Sequence, residues 1–138
     1  MQRNFPVPQN KHAVPLLEKD FTDKIIGAAI EVHKLLGPGL LESAYQVCLE
    51  HESKLRNIPF EHLMDLPLNY KGINLDAGYV IDLVYDKRVI AELKAVEQVI
   101  PVHEAQLLTY MRLTNIRVGL LINFNVPVLK DGIYRRVL

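Results

Sequence analysis

Three ionisable residues stand where ionisable residues are costly. Asp82 interrupts the run Val80-Ile81-Asp82-Leu83-Val84, and Glu92 and Lys94 flank Leu93 at the end of Val89-Ile90-Ala91-Glu92-Leu93-Lys94. Val, Ile, Leu and Tyr dominate residues 79–85, and the second apolar run follows a polar Asp86-Lys87-Arg88 break, which predicts two strands joined as a hairpin. Each run is apolar on both faces, the pattern of a strand covered on both sides. Burying an unpaired carboxylate or ammonium there costs on the order of several kcal/mol, so the three groups must be paired, metal-bound or at a cleft. A buried salt bridge is the plain structural alternative.

Side chains alternate along a strand, so Glu92 and Lys94 share a face. Asp82 joins them only in one register. A two-residue turn at Asp86-Lys87 sets Asp82 opposite Ala91, whereas a three-residue turn from Asp86 to Arg88 pairs Tyr85 with Val89 and sets Asp82 opposite Glu92. A bulge has the same effect. The expectation is therefore an odd-length turn or a bulge. Two carboxylates brought together this way offer hard oxygen ligands to Mg²⁺ or Mn²⁺, the backbone carbonyl of Leu93 can add a third, and the Lys94 ammonium can hold a water or a phosphate oxygen. That set suits phosphodiester hydrolysis, with Lys94 positioning the attacking water.

Asp82, a gap of nine residues and Glu92-Leu93-Lys94 together resemble the D…ExK signature of the PD-(D/E)XK nuclease superfamily. Gln106-Leu107-Leu108-Thr109-Tyr110 resembles the QxxxY element of the branch that contains the nuclease domains of bacterial recombination exonucleases. Gly39-Leu40-Leu41-Glu42-Ser43-Ala44-Tyr45 resembles the motif that names the GxxExxY family, placed in the same superfamily. The likeness runs from about residue 20 to the C-terminus. It implies a divalent-metal-dependent nuclease with DNA as the expected substrate. It also implies roles for further residues: Glu42 as an additional metal ligand, Gln106 and Tyr110 at substrate phosphate or at the Lys94 region, and Tyr45 and His33 in support.

The elements that must position these groups follow from pattern. Residues 1–19 carry Pro6, Pro8 and Pro15 without a sustained period and read as an extended or partly disordered arm, with a single domain over 20–138. A helix is expected from an N-cap at Asp20 or Thr22 to Leu36, with Ile25, Ala29, Val32 and Leu36 inward and a stop at Gly37-Pro38-Gly39. His33, in line with Ile26 and Ile30, reads as a core residue. A second helix is expected from about Leu41 to Arg56, burying Tyr45, Leu49 and Leu55; Glu42 sits in its first turn, where the helix dipole alone favours an acid. Glu31, Glu50 and Glu52 read as solvated helix charges, and Cys48 as a buried structural thiol.

Residues 61–70 alternate imperfectly and contain Pro67, which predicts an edge or bulged strand, and Lys71 to Asn74 reads as the turn into the Asp82 strand. A helix from about Val102 to Thr114, opened by Pro101, lines up His103, Gln106, Tyr110 and Leu113 on one stripe and Leu107, Leu108 and Met111 on another. His103 and Glu104 are assigned bland roles. Residues 116–124 form the most strand-like run and complete a parallel, right-handed βαβ unit with residues 89–95. Residues 133–138 add a last strand, and Lys130, Arg135 and Arg136 are a candidate phosphate-facing cluster.

The expected fold is an α/β PD-(D/E)XK nuclease-like core with a mixed central sheet flanked by helices, in the order ααβββαβ plus a C-terminal strand. With 16 basic and 16 acidic residues the net charge is zero, which argues against a protein coated in positive charge. No leader or membrane span is evident, so a cytoplasmic protein is expected. Two other readings stand beside the nuclease. One is a catalytically inactive module for nucleic-acid or protein interaction, including a homo-oligomer; the other is a structural ion pair with the function elsewhere.

Overall fold

A computed structural model describes residues 17–66, 68–75 and 78–138. The arm expected over residues 1–19 and the influence of Pro67 lie outside them, except for a turn at 17–18 that leads into the first helix. That helix, α1 (Lys19–Leu36), buries Ile25, Ala28, Ala29 and Val32 at helical spacing. Neither expected N-cap is used. Glu18 occupies that position with φ 57, and the Thr22 hydroxyl donates back to the Lys19 carbonyl at 3.1 Å. Leu36 is exposed rather than buried, because the chain turns away there.

Gly37 and Gly39 carry φ of 69 and 100, values that side chains other than glycine resist, and they reverse the chain into α2 (Glu42–Leu55). Tyr45 locks this reversal. Its hydroxyl donates to the Gly37 carbonyl at 2.6 Å and accepts the Leu40 N–H at 3.2 Å, while its ring stacks on Phe124 at 4.5 Å. Tyr45 and Leu49 are fully buried, but Leu55, expected inside, faces solvent at the end of the helix.

The remaining elements are β1 (Phe60–Asp65), β2 (Leu68–Tyr70), β3 (Ile73–Leu75), β4 (Val80–Tyr85), β5 (Val89–Lys94), α3 (Pro101–Thr114), β6 (Val118–Asn123), a 3-10 turn (Leu129–Gly132) and β7 (Ile133–Val137). Five strands form one mixed sheet in the order β1-β4-β5-β6-β7, in which β5 and β6 are parallel and joined through α3. The other three pairings are antiparallel. This is the expected α/β architecture, with β1 at an edge. One local reading is corrected: Ile73 and Asn74 are not part of a turn into the Asp82 strand. They belong to β3, which pairs with β2 in a separate hairpin around Lys71 and Gly72, both at positive φ.

Each face of the sheet is covered. On one side α1 and α2 set Ile25, Ala29, Tyr45 and Leu49 against Leu83, Ala91, Leu93 and Leu120; on the other α3 sets Leu107 and Met111 against Val84, Ile90 and Leu121. Cys48 is half-buried beside the first cluster. The α3 helix lies so close to β6 that a Cβ on Gly119 would come within 2.5 Å of the Met111 sulfur, and all six residues of β6 are buried. The expected basic cluster does not assemble. Arg136 donates to Glu104, Arg135 to the Leu17 carbonyl, and Lys130 is exposed on the 3-10 turn. No helix among the described residues is long and apolar enough to cross a membrane.

Candidate active site

The β4–β5 hairpin turns through three residues, Asp86 to Arg88. Asp86 and Lys87 adopt φ of 52 and 56, and the Arg88 N–H donates to the Tyr85 carbonyl at 2.9 Å. Tyr85 pairs with Val89, Val84 with Ile90 and Leu83 with Ala91, so the next residues to face each other are Asp82 and Glu92. There the ladder stops. The Asp82 N–H donates to Glu92 Oε2 at 2.8 Å, and Asp82 Oδ2 accepts the Leu93 N–H at 2.8 Å. Two carboxylates have replaced backbone partners, and the strands part around them.

The neighbours register the same break. Ile81 packs with the α3 cluster while Leu83 packs with the α1–α2 cluster, so strict alternation fails across Asp82. On β1, Leu63, the position facing Asp82 between the pairs His62–Leu83 and Met64–Ile81, has φ 49. A left-handed leucine inside a strand is strained, and such strain concentrates beside functional sites.

Electrostatics at the split are unbalanced. Glu92 is 4% exposed; burial, then the charge of Asp82, pushes its carboxyl up to about 8. Burial also raises Asp82 above the usual carboxylate range, against the opposing pull of the Leu93 N–H and Lys94. Glu42, at the solvent edge on the first turn of α2, is raised by partial burial and then by Asp82, while Lys94 lowers it. Three acids thus share the field of one nearby lysine, and each makes the next harder to ionise. Asp82 Oδ1 and Glu92 Oε1 accept no hydrogen bond from the described residues.

The flanking helices hold the rest. Lys94 Nζ donates to Gln106 Oε1 at 3.4 Å, and Gln106 Nε2 donates to the Tyr110 hydroxyl at 3.1 Å, so Lys94, Gln106 and Tyr110 form one chain. His103 accepts the Ile100 N–H at 3.1 Å at the start of α3, and Glu104 pairs with Arg136. His33 is tied to the Val126 carbonyl at 2.8 Å and leans on Phe124, apart from the carboxylate pair. Tyr45 bears on the site through the loop that presents Glu42.

Two residues, Gln46 and Asn123, escape the sequence reading, and a third, Glu50, has a different role from the one expected. Gln46 Nε2 donates to the Asp82 carbonyl at 3.0 Å and to Glu50 Oε2 at 2.8 Å. Glu50, in turn, meets His62 of β1 at 3.0 Å, so it is a largely buried, paired acid and not the solvated charge its sequence position predicts. Glu42, Gln46 and Glu50 recur every four residues on one helix stripe, a signal that was available. Asn123, 3% exposed, clamps the segment after Lys94: its Oδ1 accepts the Val96 N–H and its Nδ2 donates to the Val96 carbonyl, both at 3.0 Å. Such a buried asparagine at a strand end gives no distinguishing sequence pattern.

The donor set fits a hard divalent cation. It consists of carboxylate oxygens in negative excess, with the Leu93 carbonyl on the same side of β5 as the Leu93 N–H that reaches Asp82, since both groups of a strand residue point one way. The set is not closed around a vacant sphere: among the described residues no three His, Cys, Asp or Glu side chains stand close enough to grip an ion as they are. Asp82 and Glu92 are joined, and Glu42 stands off within electrostatic reach.

No curated protein and no solved structure matches the chain in comparison searches. A family model described as the PD-(D/E)XK nuclease superfamily matches residues 19–137, which takes in both helices before the sheet, the split hairpin, α3 and β7. With that span matched and the acids of β4 and β5 meeting at the parting of the sheet, the chain belongs to the PD-(D/E)XK nuclease superfamily.

Proposed function

We propose that the protein is a Mg²⁺- or Mn²⁺-dependent nuclease of the GxxExxY kind that hydrolyses phosphodiester bonds in DNA. The observation that carries this reading is the acid pair at the parting of the strands: Glu92 accepts the Asp82 N–H and Asp82 accepts the Leu93 N–H, with Glu92 pushed up to about 8 by burial and then by the charge of Asp82. A structural ion pair would bring its own cation into contact, yet Lys94, whose field the two acids share, donates to Gln106 instead. Asp82 and Glu92 would hold the ion, with Glu42 swinging in to complete its shell and the Leu93 carbonyl contributing from the strand. Bound there, a divalent ion supplies Lewis acidity at the phosphoryl oxygen and a more acidic water. Lys94 orients the attacking water. Gln106 and Tyr110 hold the ammonium in place and meet the substrate's phosphate oxygens.

The test is cleavage of DNA in Mg²⁺, Mn²⁺ and EDTA by the protein and by its Asp82→Ala and Lys94→Ala variants. Loss of a preorganised charged group at a reacting centre costs roughly 10²–10³-fold or more in rate. Both variants should fall at least that far, and EDTA should abolish cutting. Cleavage that persists in both variants would place the chemistry elsewhere, and an inert protein that still binds DNA would favour the interaction module.

A further inference from the structure

Beside the acid pair lies a groove of quite different character. It measures about 390 Å³ and runs between Leu66, Leu68 and Tyr79 on one side and Val102, Thr109 and Leu113 of α3 on the other. No charged side chain among the described residues lines it. Gln106 and Tyr110 line it too, the same two residues that connect to Lys94. Tyr79 is half-exposed, while its backbone is fixed by the Leu66 N–H, which donates to the Tyr79 carbonyl at 2.9 Å. Val102 and Leu113 also keep substantial apolar surface in solvent.

A charged centre and a neutral, aromatic-walled groove that share two residues match the two halves of a nucleotide. A phosphate gains nothing from apolar walls. A base gains burial of its faces, and Thr109, Gln106 and Tyr110 offer polar atoms to its edge. In a duplex that base would be paired and stacked, so the groove is open to it only when the strand is single or frayed. We infer that this groove seats an unstacked nucleobase next to the scissile phosphate, with Tyr79 as the stacking platform, and that the preferred substrate is single-stranded. The inference rests on the nuclease reading for its substrate class, and it adds Tyr79 as a specificity-determining residue.

Binding in metal-free buffer tests the groove without asking for catalysis. The anisotropy of a labelled single-stranded oligonucleotide is compared with that of the same strand carrying consecutive abasic positions and with a blunt duplex. Stacking of one base on an aromatic side chain corresponds to a difference on the order of ten-fold in affinity. The protein should favour the intact single strand over both competitors by about that factor. Tyr79→Ala and, from the opposite wall, Leu113→Asp should erase the preference, while Tyr79→Phe keeps it. Both sites are at the surface, so neither change removes core packing. Equal binding of all three nucleic acids, no binding of any, or a preference that Tyr79→Ala leaves untouched would overturn the assignment, an apolar protein segment then being the better occupant. None of those results bears on metal-dependent cutting through Asp82. A base preference in a protein that fails to cut in Mg²⁺ would keep the groove and remove the nuclease.

Discussion

The two ends of the β4–β5 hairpin treat buried polar groups in opposite ways. Near the turn, Tyr85 is fully buried and its hydroxyl meets the buried Ser53 hydroxyl at 2.8 Å, with Phe21 edge-on at 6.5 Å. Burial pushes the Tyr85 phenol up to about 12, so it stays neutral and its polarity is settled inside the core. Three residues along, at Asp82, the same strand meets Glu92, and the one nearby cation, Lys94, only partly offsets the charge of the two acids. One end is solved as a hydrogen bond and closes the sheet. The other is left electrostatically unsatisfied and opens it, which is what a site built to receive a cation requires.

The sharpest way to break that contrast is Glu92→Gln. The amide keeps an oxygen for the Asp82 N–H and removes one charge, so the fold should survive while cleavage falls by roughly 10³-fold. Stability should move the other way. The Glu92 carboxyl is raised from 4.5 to about 8 on folding, so the folded state binds the extra proton. The metal-free protein therefore pays no penalty below about pH 4.5 and loses stability as pH rises towards 8, by an amount on the order of a few kcal/mol. Thermal unfolding in EDTA should show a melting temperature that declines across that window, a decline that Glu92→Gln flattens. Mg²⁺ should stabilise the parent protein most at the alkaline end and the variant little. A melting temperature that climbs with pH in EDTA would mean the acids are already neutralised.

At the settled end the expectation reverses. Tyr85→Phe removes the only partner of Ser53 seen among the described residues and leaves a buried hydroxyl without a bond, at about 1–2 kcal/mol of stability. Cleavage at a temperature where the variant is folded should be unchanged. If activity dropped along with stability, the two ends of the hairpin would be coupled and the division between them would fail.

Much of this could be read from residue order. The two strands, the odd turn and the convergence of Asp82 on Glu92 follow from the period of two and from the cost of charge in an apolar run, both local properties. So do the stripes of α3, because a fourteen-residue helix repeats its pattern enough times to fix a face. What failed did so for several reasons. The short β2 and β3 strands have three residues each and no repeat to detect. Leu36 and Leu55 carry the right spacing but fall at helix ends where no opposing layer waits. Arg135 and Arg136 are adjacent on a strand, so alternation sends them to opposite faces, and the cluster assumed for them could not form.

Gln46 refines the comparison most finely, because it acts on the open end without touching the proposed chemistry. Its amide nitrogen is shared between the Asp82 carbonyl and Glu50, so it fixes the backbone of the residue that carries the carboxylate, and it is itself fixed from α2. Gln46→Ala deletes both bonds and leaves Asp82 free to drift by a fraction of an ångström. Since small misplacements of reacting groups are amplified in rate, kcat should fall roughly several-fold while KM holds. Gln46→Glu is the telling companion. An ionised carboxylate cannot donate, and it would aim negative charge at both the Asp82 carbonyl and Glu50, so its loss should exceed that of alanine and grow as pH rises. Equal losses for alanine and glutamate would reduce Gln46 to a space-filler. A larger loss for glutamate, with Mn²⁺ binding by calorimetry preserved in the alanine variant, would fix its part as holding the β4 strand at the point where the sheet divides.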